Sequence, residues 1–342
     1  MAFKKLLSTT LSTTAAASLM LASQLAQAAE EVNIYSYRQP FLIEPVLEAF
    51  TKETGIKHNV VFAKKGLEER LEREGKFSPA DVVLTSDTSR LFELVDRNLV
   101  QPLDSQSINA SIPKQYRDKD NEWFALTMRV RNIYSTKRNV KPEGISYADL
   151  AKPEYKGKIC TRSGKHPYNV GLVSSMIAHQ GEAATKAWLE AVKANLARHP
   201  QGNDRAQVKA IKEGVCDVSL GNSYYFGKML QDKEQKTWAD AVYINFPNQK
   251  EQGAHVNVSG MAMAKYAPHK DNARKLMEFL ASDQAQNIYA RDNMEYPINP
   301  KVAVSETVAA WGDFKADDLP INAIAENRSA ALRLLDEVKF DL

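Results

Sequence analysis

The sequence predicts an α/β fold in two lobes with a cleft between them. Short apolar runs alternate with segments of helical periodicity. The opening stretch reads as βαβαβ, the start of a doubly wound sheet. Past Pro142 the pattern begins again, and about 310 residues remain once an N-terminal leader is set aside, more than one core comfortably serves.

In order, Val32 to Tyr37 is the first strand. Ile43, Val46, Leu47 and Phe50 follow at helical spacing until Gly55 stops the helix. Lys57 to Phe62 is the second strand, and Leu67 and Leu71 mark a charged, exposed helix on which Lys64, Lys65, Glu68 and Glu69 form a solvated face. Asp81 to Thr85 is the third strand, with a helix around Leu91, Leu94 and Val95 behind it. Trp123 to Tyr134 is a longer extended segment that carries Arg129 and Arg131. In the second half, a strand at Lys158 to Arg162 leads to a helix through Val170, Val173 and Ile177. A basic amphipathic helix around Val208 and Ile211 leads to the strand Val215 to Leu220, and Gly221-Asn222-Ser223-Tyr224-Tyr225 opens another helix. Strands at Ala241 to Phe246 and Val258 to Ala264 precede helices near Ala273 to Leu280 and Asp283 to Arg291.

The first 28 residues read as a cleaved signal peptide. Lys4 and Lys5 form a positive region, Leu6 to Leu25 carry no charge, and Ala26-Gln27-Ala28 supplies small residues at the cleavage positions. Removing Lys4 and Lys5 takes the formal charge from +3 to +1, so neither nucleic acid nor an anionic membrane is implied. Export favours a disulfide between the two cysteines, Cys160 and Cys216, over thiolate metal ligation.

In open α/β sheets, ligands bind beyond the carboxyl ends of strands, beside helix N-termini. Those positions hold Tyr37 and Arg38, then His166, Pro167 and Tyr168, then Ser223, Tyr224 and Tyr225, while Arg129 lies on the segment leading out of the first lobe. A phenol with an ordinary pKa of about 10 is a poor general base at neutral pH, but a strong Lewis acid displaces its proton. Hard phenolate oxygens suit a hard trivalent cation such as Fe³⁺, and three of them neutralise its charge in a partly dry cleft. A small anion would complete the coordination, with Arg38 and Arg129 as forked counter-charges.

Taken singly, these residues say less. With 13 tyrosines in 342 residues, about half a Tyr-Tyr pair is expected by composition alone. Tyr35 and Tyr134 read as core aromatics. His166 reads as a surface or supporting group, and His58, His179, His199 and His269 as exposed positions without paired metal spacing. His255 precedes a strand near the hinge and is expected to hold a structural hydrogen bond.

The chain resembles the periplasmic ferric-ion-binding proteins of bacterial iron ABC transporters, a transferrin-like class of solute-binding protein. The resemblance spans the mature chain through Val32 to Pro40, Ser78 to Thr85, Thr127 to Tyr134, Tyr155 to Lys158 with Ser163 to Lys165, Gly221 to Tyr225, and Asn257 to Gly260. It implies a two-lobed periplasmic binding protein fold with a hinge and interlobe cleft. The lobes are expected at 29–129 with 257–300 and at 130–256 with 301–342. It carries Fe³⁺ ligation onto Tyr224, Tyr225 and a third tyrosine, Tyr168, and a synergistic carbonate or bicarbonate onto Arg38 and Arg129. Many relatives present a His-Tyr pair where this chain has Gln39-Pro40, so the first lobe is expected to add arginines rather than a ligand. Tyr37 falls two positions too early to replace that pair.

The expected protein is thus a periplasmic, soluble, monomeric carrier of Fe³⁺ that hands its cargo to an inner-membrane ABC permease without catalysis. The rivals are a binding protein for an organic or phosphorylated anion held by Arg38 and Arg129, and a periplasmic hydrolase, for which no Gly-x-Ser-x-Gly or His-Glu-x-x-His motif is present.

Overall fold

Strand β1 (Glu31–Ser36) sits between β2 (Lys57–Phe62) and β3 (Val82–Thr85), and all three run parallel. The computed structural model describes residues 30–139 and 141–342, so the expected leader lies outside the described residues. Every residue of β3 is buried, as expected of a central parallel strand, whereas β2 exposes Lys57 and Asn59 as a polar edge. Between β1 and β2, helix α1 (Pro40–Thr54) buries Leu42, Ile43, Val46, Leu47 and Phe50. Pro40 occupies its first turn, and Gly55, at φ 76°, ends it in the left-handed conformation a side chain would resist.

Helix α2 (Leu67–Glu74) follows β2, and α3 (Thr88–Asp96) follows β3. The short β4 (Val100–Gln101) and α4 (Gln106–Ser111) lead to β5 (Phe124–Thr136), a strand of 13 residues. Its first half, Phe124 to Val130, pairs with β9 (Val256–Ala264), which in turn pairs with β3. Its second half, Arg131 to Ser135, pairs with β7 (Val218–Asn222), and Ile133 to Thr136 pair with β8 (Val242–Asn245). The strand order is therefore β2-β1-β3-β9-β5-β7-β6, with β6 (Ile159–Cys160) parallel to β7.

Helix α5 (Pro167–Ala194) bends at Gly181, where φ is 80°. Helices α6 (Asp204–Lys212) and α7 (Ser223–Gln231) flank β7, and α8 (Lys236–Ala239) precedes β8. After β9 come α9 (Lys270–Ala281), α10 (Asp283–Asn293) and β10 (Tyr296–Pro297), which pairs with β5 at Thr127 and Met128. Helices α11 (Glu306–Ala309), α12 (Ile321–Glu326) and α13 (Arg328–Glu337) close the chain. No helix among the described residues is long and apolar enough to cross a membrane.

Most of the expected elements are found. The strand expected over Lys158 to Arg162 shrinks to Ile159–Cys160, because the chain beyond it turns into the loop that leads to the helix carrying Tyr168. The strand expected at Val215 to Leu220 shifts to Val218–Asn222, since Gly214 and Val215 are used to end α6. Helix α2 is not solvated throughout: Glu68 is buried.

One apolar core draws on Val32 to Leu126 and Val258 to Ile298. Two others draw on Ile133 to Phe340. A small cluster of Val130, Ala254, Met294, Tyr296 and Val308 lies where the chain passes between them. Cys160 and Cys216 are disulfide-bonded inside the second half, tying the end of β6 to the connection between α6 and β7. Replacing both cysteines with alanine should lower unfolding stability by about 2–4 kcal/mol, because the crosslink closes a loop with a sequence separation of 56. Urea unfolding of the variant beside the oxidised protein measures this, and equal midpoints would contradict it.

Candidate functional site

The two helices whose starts meet are α5 and α7. His166 caps α5, its Nδ1 accepting from the Tyr168 amide at 3.3 Å, and Pro167 fills the first turn. That places Tyr168 in the opening turn of one helix, while Tyr224 and Tyr225 lie in the opening turn of the other. The Tyr168 and Tyr224 hydroxyls lie 3.4 Å apart, and the rings of Tyr224 and Tyr225 have centroids 4.1 Å apart. Three phenols thus converge at two helix N-termini, where the partial positive charge of the backbone favours anions. Burial, with the Tyr168 and Tyr225 phenols beside it, pushes the Tyr224 phenol well above its ordinary value, while Arg129 pulls the other way. Burial also raises Tyr225, helped by Tyr168 and Asp204. Both therefore hold their protons at neutral pH unless a cation displaces them.

Gly221 allows this placement. A Cβ there would overlap the ring of Tyr134, whose hydroxyl donates to the Asn222 carbonyl at 2.9 Å. Ser223 then accepts from the Val130 amide at 3.2 Å, locking the start of α7 onto β5.

Arg38 and Arg129 are both buried and meet on one carboxylate. Arg38 forks onto Glu295, Nη1 donating to Oε1 at 2.9 Å and Nη2 to Oε2 at 2.7 Å. Arg129 Nη1 lies 3.8 Å from the same Oε1, and its Nη2 donates to the Ser86 carbonyl. Arg129 Nε and Nη1 have no hydrogen-bond partner. Although burial opposes it, the Arg38 guanidinium holds the Glu295 carboxyl below the ordinary carboxylate range. Sequence reasoning paired these arginines with an anion and missed Glu295, which lies 257 residues from Arg38 along the chain.

A second buried network underlies the tyrosines. Arg131 donates to Asp204 at 2.7 Å, Asn222 at 3.1 Å and Asn169 at 2.7 Å. Asp204 also accepts from Arg162 at 3.1 Å and from the Asn222 amide at 2.9 Å. Asn169, next to Tyr168, donates to the carbonyls of Arg162 and Ser163 and so fixes that loop. Arg162 and Arg131 lie 5.3 and 5.9 Å from the Tyr168 ring centre, on a face where a ring prefers cations. The run Asn203-Asp204 at a helix start was the signal available for this site.

Other expectations resolve differently. Tyr37 is buried with its hydroxyl engaged by Glu68 and the Leu67 amide, and Arg90 stacks 3.4 Å from its ring. Glu68 is thus an internal anchor, not part of a solvated face. Gln39 and Pro40 are exposed at the start of α1. His255 is buried and makes no ring hydrogen bond, against the structural bond expected for it; burial and then Arg131 bring it down to about 3, so it stays neutral. His166 is likewise held down at about 3 by burial and Arg162. His58 and His269 are partly buried, against Thr51 and Asp81 respectively. Tyr35 and Tyr134 are core aromatics as expected.

A cavity of about 780 Å³ opens elsewhere, between Lys114 to Trp123, His255 to Val258 and Ala316 to Ile324. Its lining mixes Lys114, Arg117 and Lys119 with Asp118, Asp317 and Asp318 and converges on no single chemistry. A metal ion needs donors rather than volume, so the phenol cluster is the stronger candidate. Among the described residues, no group of three or more His, Cys, Asp or Glu side chains is placed to hold a metal.

A family model described as bacterial extracellular solute-binding protein matches residues 77–316. Iron uptake protein A1 of Synechocystis is 40% identical over 312 residues, covering 90% of this chain and 87% of that protein. The apo ferric ion-binding protein A of Pasteurella haemolytica superposes with a TM-score of 0.89 at 56% identity, covering 92% of this chain and 99% of that one. A Trichodesmium protein in complex with iron and citrate gives a TM-score of 0.86 at 37% identity, covering 91% and 99%. These neighbours share the two-lobed periplasmic binding protein architecture expected from the sequence. The chain belongs to the bacterial extracellular solute-binding protein family.

Proposed function

We propose that this protein is a periplasmic carrier that captures Fe³⁺ through the phenolates of Tyr168, Tyr224 and Tyr225, together with a carbonate or bicarbonate held at Arg38 and Arg129. It would deliver this cargo to the permease of an inner-membrane ABC importer, performing no turnover. The convergence of three phenols at two helix N-termini carries the reading. Three phenolates cancel the charge of Fe³⁺, so the ion enters a buried site without an uncompensated charge. The unpartnered Nε and Nη1 of Arg129 are buried donors of the kind an anion satisfies. Relatives named for ferric iron binding and iron uptake support the same cargo.

The first lobe is assigned to 29–129 with 257–300, and the second to 130–256 with 301–342. The division of the apolar cores supports these bounds. The second lobe holds the tyrosines, and the first supplies Arg38 and the Ser86 carbonyl that meets Arg129. Closure is favoured only by contacts made in the closed state, and Arg38 beside an iron-bound anion is such a contact.

Purified protein given Fe³⁺ and bicarbonate should develop a visible phenolate-to-iron charge-transfer band. Tyr168→Phe, Tyr224→Phe and Tyr225→Phe should each weaken Fe³⁺ retention against a competing chelator by more than the roughly 10–100-fold typical of losing an outer-shell partner. A colourless protein, or one that retains an organic or phosphorylated anion and no iron, would overturn the reading.

Acid should release the cargo. Tyr224 and Tyr225 have raised pKa values without iron, so each phenolate formed on binding expels a proton. Apparent affinity should therefore fall by about tenfold per pH unit for each proton expelled. Following the charge-transfer band from pH 8 to pH 5 tests this; a band independent of pH contradicts it.

A further inference from the structure

Arg38, Arg129 and Glu295 form a closed triad of charges. All three side chains are at most 3% exposed, so water screens them little. Glu295 occupies both terminal nitrogens of Arg38 and also faces Arg129 at 3.8 Å. Among the described residues no second carboxylate pairs with either guanidinium. Two cations thus share one anion, and the fully buried donors left without a hydrogen bond belong to Arg129, at Nε and Nη1. Glu295 itself is placed by the backbone on either side. Met294, at φ 57°, ends α10, and Tyr296 pairs with Met128 on β5 next to Arg129. The carboxylate is therefore delivered to the point where the first lobe, through Arg38, meets the strand that carries Arg129.

We infer that Glu295 sets the charge class of the anion that accompanies the cargo, cancelling Arg38 so that the remaining edge of Arg129 accepts a small, weakly charged anion of the bicarbonate type and disfavours polyanions such as phosphate. This rests on the iron reading above. An anion that brought more negative charge than the triad offsets would face the Glu295 carboxylate across a dry site, where like charges repel strongly. Citrate and the phosphate dianion carry that extra charge, whereas monoanionic bicarbonate does not. Glu295 touches neither iron nor phenol in this scheme; it acts by fixing how much positive charge the arginines present.

The test compares anions at fixed iron. Apoprotein is loaded with one equivalent of Fe³⁺ in bicarbonate or in inorganic phosphate, then challenged with a fixed concentration of competing chelator while the charge-transfer band is followed. The readout is the ratio of Fe³⁺ retention in phosphate to that in bicarbonate. Glu295→Gln should shift this ratio toward phosphate by about tenfold or more, the effect of one uncancelled buried charge. The double variant Arg38→Gln with Glu295→Gln removes the ion pair as a unit and leaves the same net charge; losing Arg38's own hold on the anion, it should retain less Fe³⁺ in both anions but keep the ratio within about threefold of the parent.

A Glu295→Gln protein that keeps its band in bicarbonate with an unchanged ratio overturns the inference while leaving the iron reading intact. If that variant does not fold, the double variant decides: an unchanged ratio supports the inference, and a large shift overturns it. A parent protein with no band in either anion overturns the iron reading itself.

Discussion

Strand β5 serves both halves of the molecule with one unbroken run of backbone. Its first half is hydrogen-bonded to β9 and its second to β7, and the exchange of partners falls between Val130 and Arg131. Side chains two apart on a strand share a face, so Arg129 and Arg131 emerge on the same side, one just before the exchange and one just after it. Arg129 meets Glu295 and the Ser86 carbonyl, while Arg131 meets Asp204 and Asn169. Each buried guanidinium demands partners, and those partners come from segments far away in sequence. The site is assembled by the need to satisfy these two cations.

The phenols depend on the same scaffold. Ser223 binds the Val130 amide, Asn222 binds Arg131, and Asn169 binds Arg131 from the other side, so both tyrosine-bearing helix starts hang from one short piece of β5. Held this way, the three phenols sit close together, and burial keeps Tyr224 and Tyr225 protonated, because neutral phenols tolerate burial far better than phenolates do. A cation that displaces their protons converts the cluster into three anions facing two helix N-termini and nearby guanidinia, all of which stabilise negative charge. The arrangement is thus stable as it stands and would favour the cation proposed for it.

Local pattern made much of this legible. Tyr168, Tyr224 and Tyr225 stood among the candidates at strand-to-helix junctions, which are short-range features, and the family resemblance singled them out; Gly221 stands where β7 must pass close to Tyr134. The disulfide followed from export and cysteine count, and the two lobes from length and the restarted pattern. The partners that hold the site were not legible. Glu295 lies in an unremarkable Met-Glu-Tyr sequence, and only the fold brings it to Arg38. Glu68 was read as solvated because its neighbours are charged, yet Tyr37 and Arg90, one just past β1 and one on α3, bury it. His255 shows the converse: its sequence suggested a hydrogen bond that the packing around β9 does not supply. Periodicity reports which face is buried, but a charge pair across the fold leaves no period to detect.

The crosslink between Cys160 and Cys216 bears on the tyrosines in a way that stability alone does not express. Tyr168 follows Cys160 by eight residues, and Tyr224 follows Cys216 by eight, so the bond joins the two arms at equal distances from their tips. For a metal held by both arms this is a chelate effect. When one phenolate lets go, the tether keeps its oxygen near the ion, and rebinding competes with escape. For the Fe³⁺ proposed above, the disulfide would thereby lengthen the residence time of a cargo it never touches.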